Sequence, residues 1–528
     1  MTNSNRSDFL PIIISIAICL GFGASALIWN PFDSIQKSKE VQKLEDILNL
    51  LNEKYVDEVD TKSVFDETIV EMLHKLDPHS NYIPAEEMKA LSESIDGNFG
   101  GIGVRFFKLR DTICVSNVIA GSPSELVGLM AGDQIVEIEK ENAAGVGITN
   151  DDIMKKLKGE RGTSVNIMVN RYGALLPFKI KRGSIPIKSV VASHMVDDKT
   201  GYIKIDQFSI PTSREFRLAS FNLKSQGMTH MILDLRNNGG GVLQGAVEIV
   251  DAFLKGGLTI VSTEGENAPK QTFVSKSGGL LEDITLAVLI NSRSASASEI
   301  VAGAIQDNDR GIIIGRRSFG KGLVQEDQKL RDGSSVRITI ARYYTPSGRC
   351  IQRPYSGDYD AYYEDLNRTE ESMFTMDSSG FVDSLSFKTL AGRTVYGGGG
   401  ISPDKFVPYD TSGSSYYLSA LEWSGVFSQF TFDWAKKKHL FENMTWPSFN
   451  AFEKTFDGTI LLKELREYVE LEFNIIPLNE NEFQYSKKRI IRRLKAEIAR
   501  QFWSDDGFYK VYNQTDPEMN AALQSFFE

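Results

Sequence analysis

Between Gly201 and Gly315 short apolar runs alternate with stretches of helical periodicity, and this rhythm constrains the fold of the chain more than any other feature. Gly201–Phe208, His230–Leu235, Thr285–Ile290 and Gly311–Gly315 read as strands. Ser213–Gln226, Val242–Leu254 and Ser296–Gln306 read as the helices between them. Such alternation predicts an α/β core with a largely parallel sheet. Two further runs, Leu323–Leu330 and Ser335–Arg342, flank Arg331-Asp332-Gly333 and predict a hairpin.

The 528 residues leave room for several domains around that core. Residues 31–97 read as helical, with apolar stripes at Leu44, Ile47, Leu48 and Leu51 and again at Phe65, Ile69, Met72, Leu73 and Leu76. The second stripe stops at Asp77-Pro78. Residues 98–182 form a small module of short β runs, a glycine cluster and two short helices. Residues 183–410 hold the α/β core, interrupted at about 355–385 by a stretch that reads as an insertion or long surface loop. Residues 411–528 read as a helical extension to which the sequence assigns no role.

A net charge of −11 argues against a nucleic-acid partner, which would need a basic face. Leu10 to Trp29 are 20 positions without a charge, a length that fits a bilayer core of about 30 Å and favours an uncleaved anchor over a removed signal. The three cysteines make no disulfide framework, and no metal-ligand spacing is present.

The five histidines offer no base for a serine hydrolase; His79, at a helix terminus, reads as a capping or packing residue. A serine nucleophile without histidine needs another base, and a desolvated lysine is the chemical alternative. Ser296 stands between a strand end and a helix, where backbone N–H groups and the positive helix end converge. The bland reading of Ser296-Ala-Ser-Glu299 is a capping box. Lys321 lies between two glycines with Gln325 four residues on, placed to orient the amine; the bland reading is an exposed turn lysine. Gly315 to Lys321 also fits the phosphate-loop pattern, but Gly322 stands where Ser or Thr should hold magnesium, and a strand follows instead of a helix. Asp234-Leu-Arg-Asn-Asn-Gly-Gly-Gly241 supplies backbone N–H groups able to approach a ligand closely, or simply a β-to-α turn. Gly100–Val104 fits a loop that captures a peptide carboxylate beside a sheet edge, or a hairpin turn.

Taken together, Asp77-Pro-His-Ser80, Gly100–Val104, Asp234–Gly241, Ser294–Glu299, Phe319–Gln325, Tyr344–Gln352 and Gly398–Asp404 resemble, in order, the blocks of the C-terminal processing, or tail-specific, proteases. The resemblance implies Ser296 as nucleophile, Lys321 as general base and Gln325 as the residue orienting it. It implies an oxyanion hole from the N–H of Ala297 and of Gly239 or Gly240. The small module would be a PDZ domain whose loop Gly101, Ile102, Gly103 and Val104 binds the substrate's C-terminus. The expected activity is that of a serine endopeptidase cutting exported proteins near apolar C-terminal tails, without metal or cofactor. It would be anchored in the inner membrane by its N-terminal segment and face the periplasm. A non-catalytic adaptor that only binds protein tails is the alternative. Oligomeric state stays open, a dimer included.

Overall fold

A computed structural model of the chain describes residues 39–364, 374–375, 385–441 and 445–528. The chain divides into two units, Met1–Leu73 and His74–Glu528. In the first, the helix Lys39–Lys54 buries no residue, so Leu44 and Ile47 of the expected core stripe stay exposed. Among the described residues no helix is long and apolar enough to cross a membrane; Leu10–Trp29 lies outside them.

The second unit is built on a six-stranded sheet in the order Val190–Met195, Thr200–Ile205, His230–Asp234, Thr285–Ile290, Ile312–Gly315, Lys405–Phe406. The first pair is antiparallel and the remaining four pairs are parallel. The antiparallel edge strand Val190–Met195 escaped the sequence reading, because its Ser and His interrupt the apolar run. Thr200–Ile205 is buried at all six positions, as a strand covered on both faces must be. One face packs on the helices Thr212–Ser225, Leu243–Asp251 and Ala297–Asp307 through a core that includes Ile203, Leu233, Val288 and Val301. The opposite face is closed by the last helix, Pro517–Ser525, whose Met519 and Ala522 lie on Tyr202, Ile232, Leu289 and Ile314. The C-terminal extension, to which the sequence assigned no role, therefore supplies one layer of the α/β core.

A second sheet carries the hairpin Leu323–Lys329 and Ser335–Tyr344; Asn81–Ile83 pairs with the start of Ser335–Tyr344 and Thr259–Glu264 with its end, and Gln271–Val274 follows beside Thr259–Glu264. The small module is a five-stranded antiparallel path from Val104–Leu109 to Ala174–Lys181, with a sixth strand, Glu141–Asn142, beside it. A two-stranded ribbon, Asn98–Gly101 with Gly183–Pro186, forms its neck. The region after Tyr416 folds on its own aromatic core, which includes Phe427, Trp434, Phe452 and Phe456. The supposed surface loop at 355–385 begins with a helix, Tyr359–Glu364, whose Tyr362 is buried. Its residues 365–373 and 376–384 lie outside the described set.

Candidate active site

Ser296 caps the helix Ala297–Asp307, in which every residue is buried. Its backbone sits at φ 55°, ψ −114°, a conformation costly for a residue with a Cβ and held only where the surroundings over-determine it. Those surroundings are explicit. Glu299, fully buried, accepts at Oε2 from the backbone N–H of Ser296 at 2.8 Å and of Lys321 at 2.9 Å. Its Oε1 accepts from the Gly320 N–H at 2.7 Å and from the Ser318 hydroxyl at 2.6 Å. The Tyr343 hydroxyl lies 2.7 Å from the carbonyl of Lys321 and 3.2 Å from that of Ser296. One carboxylate and one phenol thus tie the backbones of the two residues together. Burial pushes the Glu299 carboxyl up to about 7, opposed by those four donors, each of which favours the ionised form. In the sequence Glu299 reads only as a capping-box acid; that it also bridges to Lys321 depends on the loop that brings Ser318, Gly320 and Lys321 onto it.

Lys321 follows Gly320, which has φ +92° and no room for a side chain: a Cβ would stand 2.5 Å from Arg353 Cγ. The Lys321 Nζ donates to Gln325 Oε1 at 2.7 Å, and Gln325 Nε2 donates to the carbonyl of His79 at 2.6 Å. Burial, helped by the positive charge of Arg337, lowers the ammonium to about 8. It is therefore not the exposed turn lysine of the bland reading. Asp77-Pro-His-Ser80 holds the far end of the chain. Asp77 Oδ1 accepts from the N–H of His79 and of Ser80 at 2.8 Å each, and Thr339 N–H donates to Ser80 Oγ at 3.1 Å. The His79 ring lies among Phe319, Tyr362 and Tyr363, and burial, with Lys321 nearby, depresses it to about 3. It packs, as expected, and its carbonyl is a site contact that its side chain gave no reason to suspect.

The glycine loop meets the nucleophile loop backbone to backbone. Asn238 O accepts from Ala295 N–H at 3.0 Å and from Ser298 Oγ at 2.9 Å. A Cβ on Gly240 would stand 2.7 Å from Ser296 Cβ and 2.9 Å from the Ala297 nitrogen, so only glycine allows this approach. The Gly240 N–H already donates to Asn238 Oδ1 at 2.9 Å, whereas a Cβ on Gly239 would meet open space. Arg236, at the root of the loop, pairs with Asp234 at 2.7 Å and with Asp516 at 2.8 Å, and also with Glu518. The last helix thereby grips the loop directly.

The backbones of Ser296 and Lys321 share Glu299 and Tyr343, Gly240 abuts Ser296 and Ala297 with Gly239 next to it in the chain, and Gln325 holds Lys321 Nζ. Gly101, Ile102, Gly103 and Val104 lie apart, at the neck of the small module. Gly315–Lys321 leads into the strand Leu323–Lys329 and forms no phosphate loop. Among the described residues no group of three His, Cys, Asp or Glu side chains could hold a metal.

Residues 199–359 match Peptidase family S41, residues 100–181 match the PDZ domain, and residues 417–505 match a family of unknown function, DUF8443. The Carboxy-terminal-processing protease of Bartonella bacilliformis is 38% identical over 60% of this chain and 73% of its own. The Probable CtpA-like serine protease of Staphylococcus aureus (strain COL) is 33% identical over 66% of this chain and 70% of its own. The chain belongs to the carboxy-terminal-processing protease family. It is a peptidase of family S41 with a PDZ domain between its N-terminal helices and its protease core. Among solved structures, the photosystem II D1 C-terminal processing protease aligns over 70% of this chain and 88% of its own, at 24% identity and a TM-score of 0.36.

Proposed function

We propose that this family member works through a serine–lysine site, with Ser296 as nucleophile and Lys321 as base. The observation that carries the reading is the chain Lys321 Nζ–Gln325–His79 carbonyl, which fixes an amine whose proton affinity burial has lowered. Neutral Lys321 takes the Ser296 hydroxyl proton as Oγ attacks the scissile carbonyl. The resulting oxyanion is met by the N–H groups of Ala297 and Gly239; Gly240 holds the loop shape through Asn238. Lys321 then gives its proton to the leaving amine, leaving an acyl-enzyme, and activates the water that hydrolyses it.

The PDZ domain supplies the substrate end of the reading. An extended peptide adds to the strand Val104–Leu109 with its carboxylate at the Gly101–Val104 loop, and an apolar last residue enters beside Ile102. The uncharged Leu10–Trp29 segment would anchor the chain in the inner membrane, with the catalytic part in the periplasm. The test uses the full chain in mild detergent, as wild type, Ser296→Ala and Lys321→Ala. An unfolded reporter ending in apolar or acidic residues is added, and fragments are followed by mass spectrometry. Cleavage by wild type alone, favouring the apolar end, is expected. Cleavage by Lys321→Ala at the wild-type rate would rule out the lysine as base, and tail binding without cleavage by wild type would leave an adaptor.

A further inference from the structure

Among the described residues the strand Val104–Leu109 is an edge strand with Thr112–Val118 as its one sheet partner, so its outer side is open to an added peptide. That open side does not face bulk water. A cavity of about 560 Å³ runs along Val104 to Phe107, with Met154 of the PDZ helix Asn150–Leu157 on one flank. Its other flank comes from the C-terminal region: Ser428 from the helix Val426–Lys437, and Gln501 and Ser504 from the helix Glu480–Tyr512. The volume falls within the range of about 300–1,000 Å³ usual for ligand sites.

Specific contacts hold this second flank in place. Arg105, on the edge strand, pairs with Asp505 at 3.1 Å, and Asp505 pairs in turn with Arg500 at 3.1 Å. Arg110 bridges to Asp433 at 3.1 Å and Glu472 at 2.9 Å, while Leu109 and Cys114 share a buried cluster with Phe432. The long helix is broken beside the cavity. Trp503 has φ −125°, ψ 20° and Ser504 has φ 54°, ψ −155°, so a non-glycine residue is held in a strained conformation at the cavity wall. Immediately after the break, Asp505 reaches Arg105 and Asp506 accepts from the Ser193 N–H at 2.9 Å. The break thus turns two successive carboxylates onto two domains.

We propose that the C-terminal helical domain is the second wall of the peptide groove, reading the substrate side chains that point away from Met154. The inference rests on the PDZ reading above. A peptide added antiparallel to Val104–Leu109 places alternate side chains on opposite sides. The last residue and the third from the end face the PDZ helix. The second and fourth from the end face Gln501, Ser504 and Ser428 beside the paired charges of Arg500 and Asp505, whose hydrogen-bonding groups favour polar side chains there. Specificity is then shared between the PDZ domain and a domain packed on the protease core through Asp506 and the last helix, which couples tail recognition to the body that carries Ser296.

The test is a coupling measurement on the full chain in mild detergent, with Ser296→Ala to prevent turnover. Two fluorescent peptides share an apolar last residue and carry Tyr or Gly as the second residue from the end; affinities are read by anisotropy. Gln501→Trp, which fills the chamber, is expected to weaken the Tyr peptide at least 10-fold and the Gly peptide less than 2-fold. Ser428→Trp, from a different helix, should give the same pattern. Equal losses for the two peptides, or no loss with either variant, would overturn the proposal. An amidated peptide distinguishes the two readings. If wild type binds it as well as the free acid, the PDZ reading fails and takes the inference with it; carboxylate dependence without Gln501 coupling sinks the inference alone.

Discussion

Replacing Glu299 by glutamine separates what the carboxylate does for stability from what it does for catalysis. The amide nitrogen must face one of two donor pairs. Against Ser296 and Lys321 it would leave two buried N–H groups without an acceptor. Against Ser318 and Gly320 it leaves one, because Ser318 Oγ, which already accepts from Ile401 N–H at 2.6 Å, can also accept from the amide. The second orientation therefore wins, at a cost of roughly 1–3 kcal/mol for the Gly320 N–H. The opposing effect is relief of a buried charge. A carboxyl raised from 4.5 to about 7 contributes stability below its unfolded value that is lost as pH rises through about 7, a loss of about 3 kcal/mol by pH 8. At pH 8 the two nearly cancel, so the variant should unfold in urea within about 2 kcal/mol of wild type. Activity should not be spared. The Gly320–Lys321 backbone loses a tether, and a misplacement on the order of 1 Å costs about 10²-fold, so kcat should fall about 10- to 100-fold. The negative charge of Glu299 also raises the Lys321 value, so its removal should move the pH midpoint of kcat/KM downward. The assay is a kcat/KM profile from about pH 6 to 10 beside urea unfolding at pH 8. Unchanged kcat with an unchanged midpoint would refute the claim that this carboxylate positions the site.

In the wild type, kcat/KM should rise with pH through about 8, since the base must be neutral and burial sets Lys321 there; a flat profile from pH 6 to 9 would exclude it. Because its folded value lies below the unfolded 10.5, Lys321 contributes stability that is lost as pH falls through about 8. Lys321→Met should therefore stabilise the fold at pH 7 by up to about 3 kcal/mol in urea unfolding while abolishing turnover. Gln325→Leu removes the acceptor at Lys321 Nζ and should lower kcat roughly 10-fold with KM unchanged, since nothing that binds substrate moves. Arg236→Met leaves Asp516 without the cation it pairs with and Asp234, fully buried, with only Lys204 at 3.8 Å, while Glu518 keeps Arg316; a loss of up to roughly 3–5 kcal/mol in urea unfolding is expected, and a loss under about 1 would show that the tail does not grip the glycine loop.

Much of the site was legible as local sequence. A strand end running into a helix at Ser296, a glycine run after Asp234 and a lysine between glycines are each written in consecutive residues, because turns and caps are made by neighbours along the chain. The Lys321–Gln325 pair was legible for the same reason: Gln325 is four positions on, near the start of the strand that Lys321 leads into, with a bulge between Val324 and Gln325. Glu299, Tyr343 and the His79 carbonyl were not legible in these roles. Their partners lie 22, 22 and 246 positions away, and local pattern carries no signal for a contact closed by a distant strand.

The choice between Gly239 and Gly240 shows the same limit at the scale of one hydrogen bond. Consecutive glycines look alike in sequence, and only packing ties the Gly240 N–H to the fully buried Asn238 amide while a Cβ on Gly239 would meet open space. The C-terminal extension shows it at the scale of a domain. Its helical character was readable from the sequence, since such patterns are local; the aromatic core those helices share was not. That its last helix would close the open face of the parallel sheet, and that a broken helix would flank the edge of the PDZ domain, were decided by tertiary structure. The sequence by itself determined the elements, the α/β class and the residues able to carry serine–lysine chemistry, because backbone propensity and side-chain type act over a few residues. The assembly of those residues into one site was decided by burial: the sheet must be covered on both faces, and every buried donor must find an acceptor wherever the chain provides one.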